Sequence, residues 1–193
     1  MKRIIGLTGG IGTGKTTVSN YLAHRHQLPV LDADIYAREA VQLGSLVLSK
    51  IYERYGTNVQ LPDGTLNRQR LGEIVFSNPI ERQWLEQQIH PYVRSCFQSE
   101  LETLVAHTVI LVVPLLFEAS MTDLVTEIWV VSCSPEQQLS RMIKRDRLSL
   151  EQAQARLNSQ LPIQEKVAQA DVVLDNSSTL DALLKQVDLA LLY

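Results

Sequence analysis

The chain has 193 residues, 45% of them hydrophobic and 20% charged, and a formal net charge of −3. That length suffices for one compact α/β domain carrying inserted subdomains and is too short for two full-sized domains. The acidic balance argues against nucleic acid or an anionic membrane as the main partner, because both call for basic surfaces, so any anion site has to be built locally.

In chain order, Arg3 to Thr8 is a short β-branched and leucine-rich run that ends in glycines. Positive charge before an apolar run resembles a signal peptide, but the run stops at Thr8-Gly9-Gly10, short of the roughly 7–15 residues a signal core needs. No later stretch reaches the roughly 20 apolar residues that span a bilayer, so a soluble, cytoplasmic chain with no membrane partner is expected. Lys15 to His26 follows with the helical spacing of Val18, Tyr21 and Leu22. Pro29 to Asp32, Val109 to Val113, Ile128 to Ser132 and Val172 to Leu174 are further strands, short and continuously apolar, as in a parallel sheet covered on both faces. Between them helices announce their starts: Asn78-Pro79 and Ser134-Pro135 place a cap before an N1 proline, and Gln137 and Gln152 complete capping boxes with Ser134 and Ser149. Residues 35–106 are almost wholly helix or loop and read as an insertion. Cys96 and Cys133 lie far apart without CxxC spacing, which favours reduced structural thiols.

Gly9-Gly10-Ile11-Gly12-Thr13-Gly14-Lys15-Thr16 satisfies G-x-x-x-x-G-K-[ST] between a hydrophobic strand and a helix, where a phosphate loop has to sit. Backbone N–H groups of such a loop turn inward around phosphate oxygens, the helix aims its positive end at them, Lys15 adds a point charge and Thr16 offers Mg²⁺ a hydroxyl. All nine glycines lie at or before Gly72, so a single nucleotide cradle is expected. Neither an Asn-Lys-x-Asp segment nor a D-x-x-G switch occurs, which disfavours a regulatory GTPase. Instead Asp32 and Asp34 stand at the carboxyl end of the second strand, where ligands sit in such sheets. One can accept a proton from an attacking hydroxyl while the other organises Mg²⁺ and its waters. Alternatively, Asp32 caps the next helix and Asp34 complements its dipole.

Ser134 to Arg147 reads as a capped helix with Arg141, Lys144 and Arg145 on neighbouring parts of one face, and Arg156 lies on the next helix. Mobile guanidinium groups there could close over transferring phosphate, or the face could be an ordinary solvated one partly neutralised by Asp146 and Glu151.

Six segments together carry a resemblance: Leu7-Thr8-Gly9-Gly10-Ile11-Gly12-Thr13-Gly14-Lys15-Thr16-Thr17, Asp32-Ala33-Asp34, Asp63-Gly64-Thr65-Leu66, Ile89-His90-Pro91, Val113-Pro114-Leu115-Leu116-Phe117-Glu118 and Asp175-Asn176. In that order they resemble the dephospho-CoA kinase family, along nearly the whole chain. The resemblance implies an adenylate-kinase-like, three-layer P-loop NTPase fold with a central parallel sheet. Residues 1–34 and 107–193 form the nucleotide core, 35–106 the helical insertion that binds the acceptor, and 134–160 a helical lid within the core. It implies transfer of the ATP γ-phosphate to the ribose 3′-hydroxyl of dephospho-CoA, the last step of coenzyme A synthesis, with ATP and Mg²⁺ required and no obligate protein partner. Asp34 corresponds to the base, with Lys15, Arg141 and Arg145 stabilising the transferring phosphate. ATP would be held by Gly10, Ile11, Gly12, Thr13, Gly14, Lys15, Thr16, Thr17, Arg141, Arg145 and Asn176. Thr8, Asp34, Arg38, His90 and Leu116 fall in segments that line the dephospho-CoA side. His90 has a second reading, a bond to a neighbouring carbonyl where Pro91 interrupts a helix. The third strand ends in Pro114 where many phosphate-loop enzymes carry a metal-binding acid, so Thr16 directly and Asp32 through water are the expected Mg²⁺ helpers, with Glu118 the nearest other acid.

Overall fold

The structure is a computed structural model that describes residues 2–192. The chain divides into two compact units, one of Met1–Asp32 with Leu104–Tyr193 and one of Ala33–Thr103. Strands β1 (Arg3–Gly9), β2 (Val30–Asp32), β3 (Thr108–Val112), β4 (Glu127–Ser132) and β5 (Val172–Asp175) belong to the first unit. Helix α1 (Lys15–Arg25) precedes β2, and the second unit contributes α2 (Ala33–Glu39), α3 (Leu46–Tyr55), α4 (Arg68–Ser77) and α5 (Pro79–Thr103). Helices α6 (Pro135–Asp146), α7 (Leu150–Asn158), α8 (Ile163–Val167) and α9 (Leu180–Leu191) complete the first.

The strands form one five-stranded sheet in the order β2-β3-β1-β4-β5, with every pair parallel. Register follows from side-chain alternation. Leu7 pairs with Val112 on one side and Trp129 on the other, and Ile5 pairs with Ile110. These side chains, with Val131 and Leu174, share a cluster with Val18 and Leu22 of α1 and Leu183 and Val187 of α9. Full burial of each such side chain is worth about 1.5–3 kcal/mol, and a one-residue slip would turn the whole set to the other face. Val109, Leu111 and Val130, at the alternate positions, are buried as well. The sheet is therefore covered on both faces, as its apolar runs require. Both expected capping boxes, Ser134 with Gln137 and Ser149 with Gln152, are present.

The second unit packs Val41, Leu48, Ile51, Val59, Leu66, Leu71 and Val75 into its own core, flanked by Tyr52, Tyr55, Trp84, Leu85 and Ile89. The Asp63-Gly64-Thr65-Leu66 signature is a turn: the Asp63 carboxylate accepts from the backbone N and the hydroxyl of Thr65 at 2.9 and 2.6 Å, which lets Leu66 pair back with Gln60. Arg54 grips Glu81 with two bonds of 2.7 and 2.9 Å while the Tyr55 hydroxyl donates to the same carboxylate at 2.6 Å. The Arg54 guanidinium, followed by Tyr55, holds the Glu81 carboxyl down at about 2. The interruption expected at Pro91 does not occur, since α5 runs through it. An internal proline removes one backbone bond and costs about 3 kcal/mol, which burial of Val93 and Phe97 just beyond it offsets. Among the described residues no helix is long and apolar enough to cross a membrane.

Candidate active site

The central strand β1 delivers the chain into the glycine loop at its carboxyl end. Gly9 has φ 144°, and a Cβ there would lie 2.3 Å from the Val131 carbonyl oxygen, so only glycine fits. At Gly10 a Cβ would meet the Gln138 carboxamide at 2.3 Å. The loop then opens α1, which starts without a side-chain cap and without an acidic residue in its first turn. Its positive end is thereby left for an anion, and the cradle fits the phosphates of a nucleotide. Lys15 turns its ammonium back onto the carbonyls of Gly9 and Gly10 at 2.9 and 2.8 Å, which places the charge over the loop. Thr16 and Thr17 are exposed on the first turn of α1, and Thr13 is buried with its hydroxyl donating to Gly10 O at 2.8 Å.

The loop is braced from outside by groups that local sequence patterns do not reveal. Gln138 of α6, buried, donates to Ile11 O at 2.7 Å, and the Gln160 carboxamide accepts from Ile11 N at 2.9 Å. Asn176, just beyond β5, donates to Thr13 O at 2.7 Å. Arg141 donates to Gly12 O at 3.2 Å and to Asn176 O at 2.9 Å. Burial pushes the Cys133 thiol up despite the nearby Arg141 charge, which suits an inert structural thiol; both cysteines are unpaired.

The two arginines grouped together on α6 thus have different settings. Arg145 is paired bidentately with Asp146 at 2.7 and 2.9 Å, a contact that raises the Arg145 pKa and lowers that of Asp146. Arg156 also approaches Asp146, at 3.8 Å.

Thr8 and Leu116 have fully buried side chains, and the Thr8 hydroxyl donates to Pro114 O at 3.3 Å. Glu118 is engaged by Lys166 at 2.8 Å and by Leu161 N at 2.9 Å. Asp32 is partly buried at the end of β2. Among the described residues no group of three or more His, Cys, Asp or Glu side chains could hold a metal ion. Such an ion would depend on phosphate and water, as Mg²⁺ commonly does, with Thr16 as the fitting protein hydroxyl.

The second unit contains a pocket of its own. Exposed Asp34, Arg38 and Arg68 meet apolar walls that include Leu66, Leu71 and Ile89. Arg68 also donates to Arg38 O at 3.1 Å, which ties the first turn of α4 to α2. Ile89, rather than the half-buried His90 beside it, lines this pocket. Arg68 was not foreseen; its signal is its place two residues after Leu66, directly beyond the Asn67 helix cap.

The family model for dephospho-CoA kinase matches residues 3–182. A dephospho-CoA kinase of Trichormus variabilis is 63% identical over 190 residues, covering 98% of this chain and 97% of the relative. The solved structure of a Thermus thermophilus protein superposes with a TM-score of 0.82 at 34% identity, covering 99% of this chain and 97% of the other. That of dephospho-CoA kinase from Campylobacter jejuni does so with a TM-score of 0.70 at 28% identity, covering 100% and 96%.

Proposed function

The chain belongs to the dephospho-CoA kinase family, and from that premise we propose that it transfers the γ-phosphoryl group of ATP to the ribose 3′-hydroxyl of dephospho-CoA, giving ADP and coenzyme A. The observation that carries this reading is a fully built phosphate loop in a chain that the family model matches over residues 3–182.

Phosphoryl transfer has a loose transition state, so the protein's work is positioning and charge stabilisation. The loop N–H groups and the start of α1 hold the phosphates of ATP. Lys15 leaves the carbonyls of Gly9 and Gly10 to follow the γ-phosphate. Arg141 keeps Gly12, Thr13 and Asn176 in place, and Arg145 stabilises the transferring group once released from Asp146. Asp34 accepts the proton of the 3′-hydroxyl; Arg38 and Arg68, at the same pocket, suit the phosphate and pyrophosphate groups of the acceptor, and the apolar walls suit its base or pantetheine arm. Mg²⁺, held by Thr16 and through water by Asp32, would neutralise charge on the β- and γ-phosphates. No covalent intermediate is required. The cytoplasm, where thiols stay reduced, suits the unpaired cysteines.

The test is ADP release from Mg-ATP with dephospho-CoA, AMP, adenosine or no acceptor. Stimulation by dephospho-CoA far above the others supports the reading; equal rates with all four remove it.

A further inference from the structure

Lys166 is wholly buried, on the short helix α8. Its ammonium meets the Glu118 carboxylate at 2.8 Å and donates to Pro114 O at 3.0 Å. Both partners lead back to the glycine loop. Pro114 O also accepts from the hydroxyl of Thr8, the residue that immediately precedes Gly9. The Glu118 oxygen that pairs with Lys166 also accepts from Leu161 N, and the preceding residue, Gln160, accepts from Ile11 N at the tip of the loop. Burying the Lys166 ammonium costs desolvation that a partner carboxylate still 23% exposed only partly offsets, so such a pair is a poor device for stability alone. What it supplies is direction, because each charge fixes the atoms that it bonds.

We propose that the Lys166–Glu118 pair is a positioning device for the phosphate loop, fixing the loop's entrance through Pro114 O and Thr8 and its tip through Leu161 and Gln160. This rests on the phosphoryl transfer proposed above. Neither charge touches the nucleotide; they act through the backbone that they hold. The reading also gives Glu118 a task other than metal binding.

The test compares Lys166→Met, Glu118→Leu, the double variant and Gln160→Leu with the unaltered enzyme. Melting is followed by circular dichroism, affinity by a fluorescent ATP analogue, and kcat and the KM for ATP across Mg²⁺ concentrations. Glu118→Leu leaves the buried Lys166 ammonium unpaired and is expected to melt early, whereas the double variant removes both charges together. The double variant should fold, bind the analogue more weakly and lose about tenfold to a hundredfold in kcat/KM for ATP, the scale of a small misplacement of the reacting groups, with no rescue by Mg²⁺. Gln160→Leu should reproduce the weaker analogue binding without early melting. A folded double variant with wild-type analogue affinity and turnover overturns the proposal, as does rescue of Glu118→Leu by Mg²⁺ or unchanged analogue affinity in Gln160→Leu. Analogue binding needs no acceptor, so it separates this outcome from a failure of the acceptor assignment, which would show as wild-type enzyme that binds nucleotide yet ignores dephospho-CoA.

Discussion

Among the described residues, the buried polar side chains Thr8, Thr13, Ser19, Gln138 and Lys166 all belong to the sheet-bearing unit, whereas the helical unit keeps Asp34, Arg38 and Arg68 exposed around an apolar pocket. Around the phosphate loop the bracing side chains Thr13, Gln138 and Asn176 are bonded to the loop's own backbone, whereas the charged side chains at the pocket of the second unit lie exposed at its surface. A nucleotide's phosphates are the same for every reaction that uses them, so a rigid cradle loses nothing. A longer, flexible acceptor is better met by side chains that settle when it arrives. Substitutions near the loop should therefore disturb nucleotide binding and folding together, and those in the pocket should touch the acceptor alone.

The largest effect that would break this contrast is at Lys15. Lys15→Ala should lower turnover by roughly 10²–10³-fold, the scale for removing a preorganised charge from a transition state. Steady-state assay of the folded variant checks this, and near-normal turnover would move the nucleotide site elsewhere. Asp34→Asn comes next, with a loss of about a hundredfold in kcat and little change in affinity for ATP or dephospho-CoA. Asp32→Asn should instead raise the Mg²⁺ requirement. Titrating both variants with Mg²⁺ separates them, and rescue of Asp34→Asn alone would invert the assignment.

A sharper test of the exposed pocket is Arg68→Ala, which removes one charge-assisted contact. It should raise the KM for dephospho-CoA roughly tenfold with the KM for ATP unchanged; a change in the ATP constant instead would dissolve the division between the units. The smallest effect concerns Glu81. Its carboxyl, normally near 4.5, is held at about 2 by Arg54 and Tyr55 in the folded chain. A depressed carboxylate stabilises the folded state above its unfolded pKa, and that contribution is lost as pH falls from about 4.5 towards 2. Glu81→Gln should flatten the decline in melting temperature over that window, most visibly in probes of the helical unit such as Trp84 fluorescence.

Much of the nucleotide site could be read from the chain because its logic is local. Glycine spacing, a preceding apolar strand and a following helix occupy one short segment, and the capping boxes are local too. The braces are not. Gln138 and Gln160 reach Ile11 across 127 and 149 residues, and a neutral carboxamide on a helix looks like any surface residue. A faint signal existed: Gln138 lies four residues before the buried Met142, and Lys166 three after the buried Ile163, each on the inward stripe of its helix. A polar residue on an apolar stripe asks for a partner. The same distance blindness hid the separate settings of Arg141 and Arg145, since helical spacing says which side chains are neighbours and nothing about what faces them. Pro91 misled in the opposite direction, because a strong local rule was overridden by packing further along α5.

The two adjacent glycines of the loop imply different evolutionary fates. At Gly9 the obstacle to a methyl group is a main-chain oxygen of Val131, which no replacement elsewhere removes. At Gly10 it is the far end of the Gln138 side chain, which a shorter residue would withdraw at the expense of its bond to Ile11. Gly9 should stay fixed in every descendant that keeps the loop, while Gly10 and position 138 are free to drift only as a pair, so that covariation between them would be the historical trace of one crowded contact.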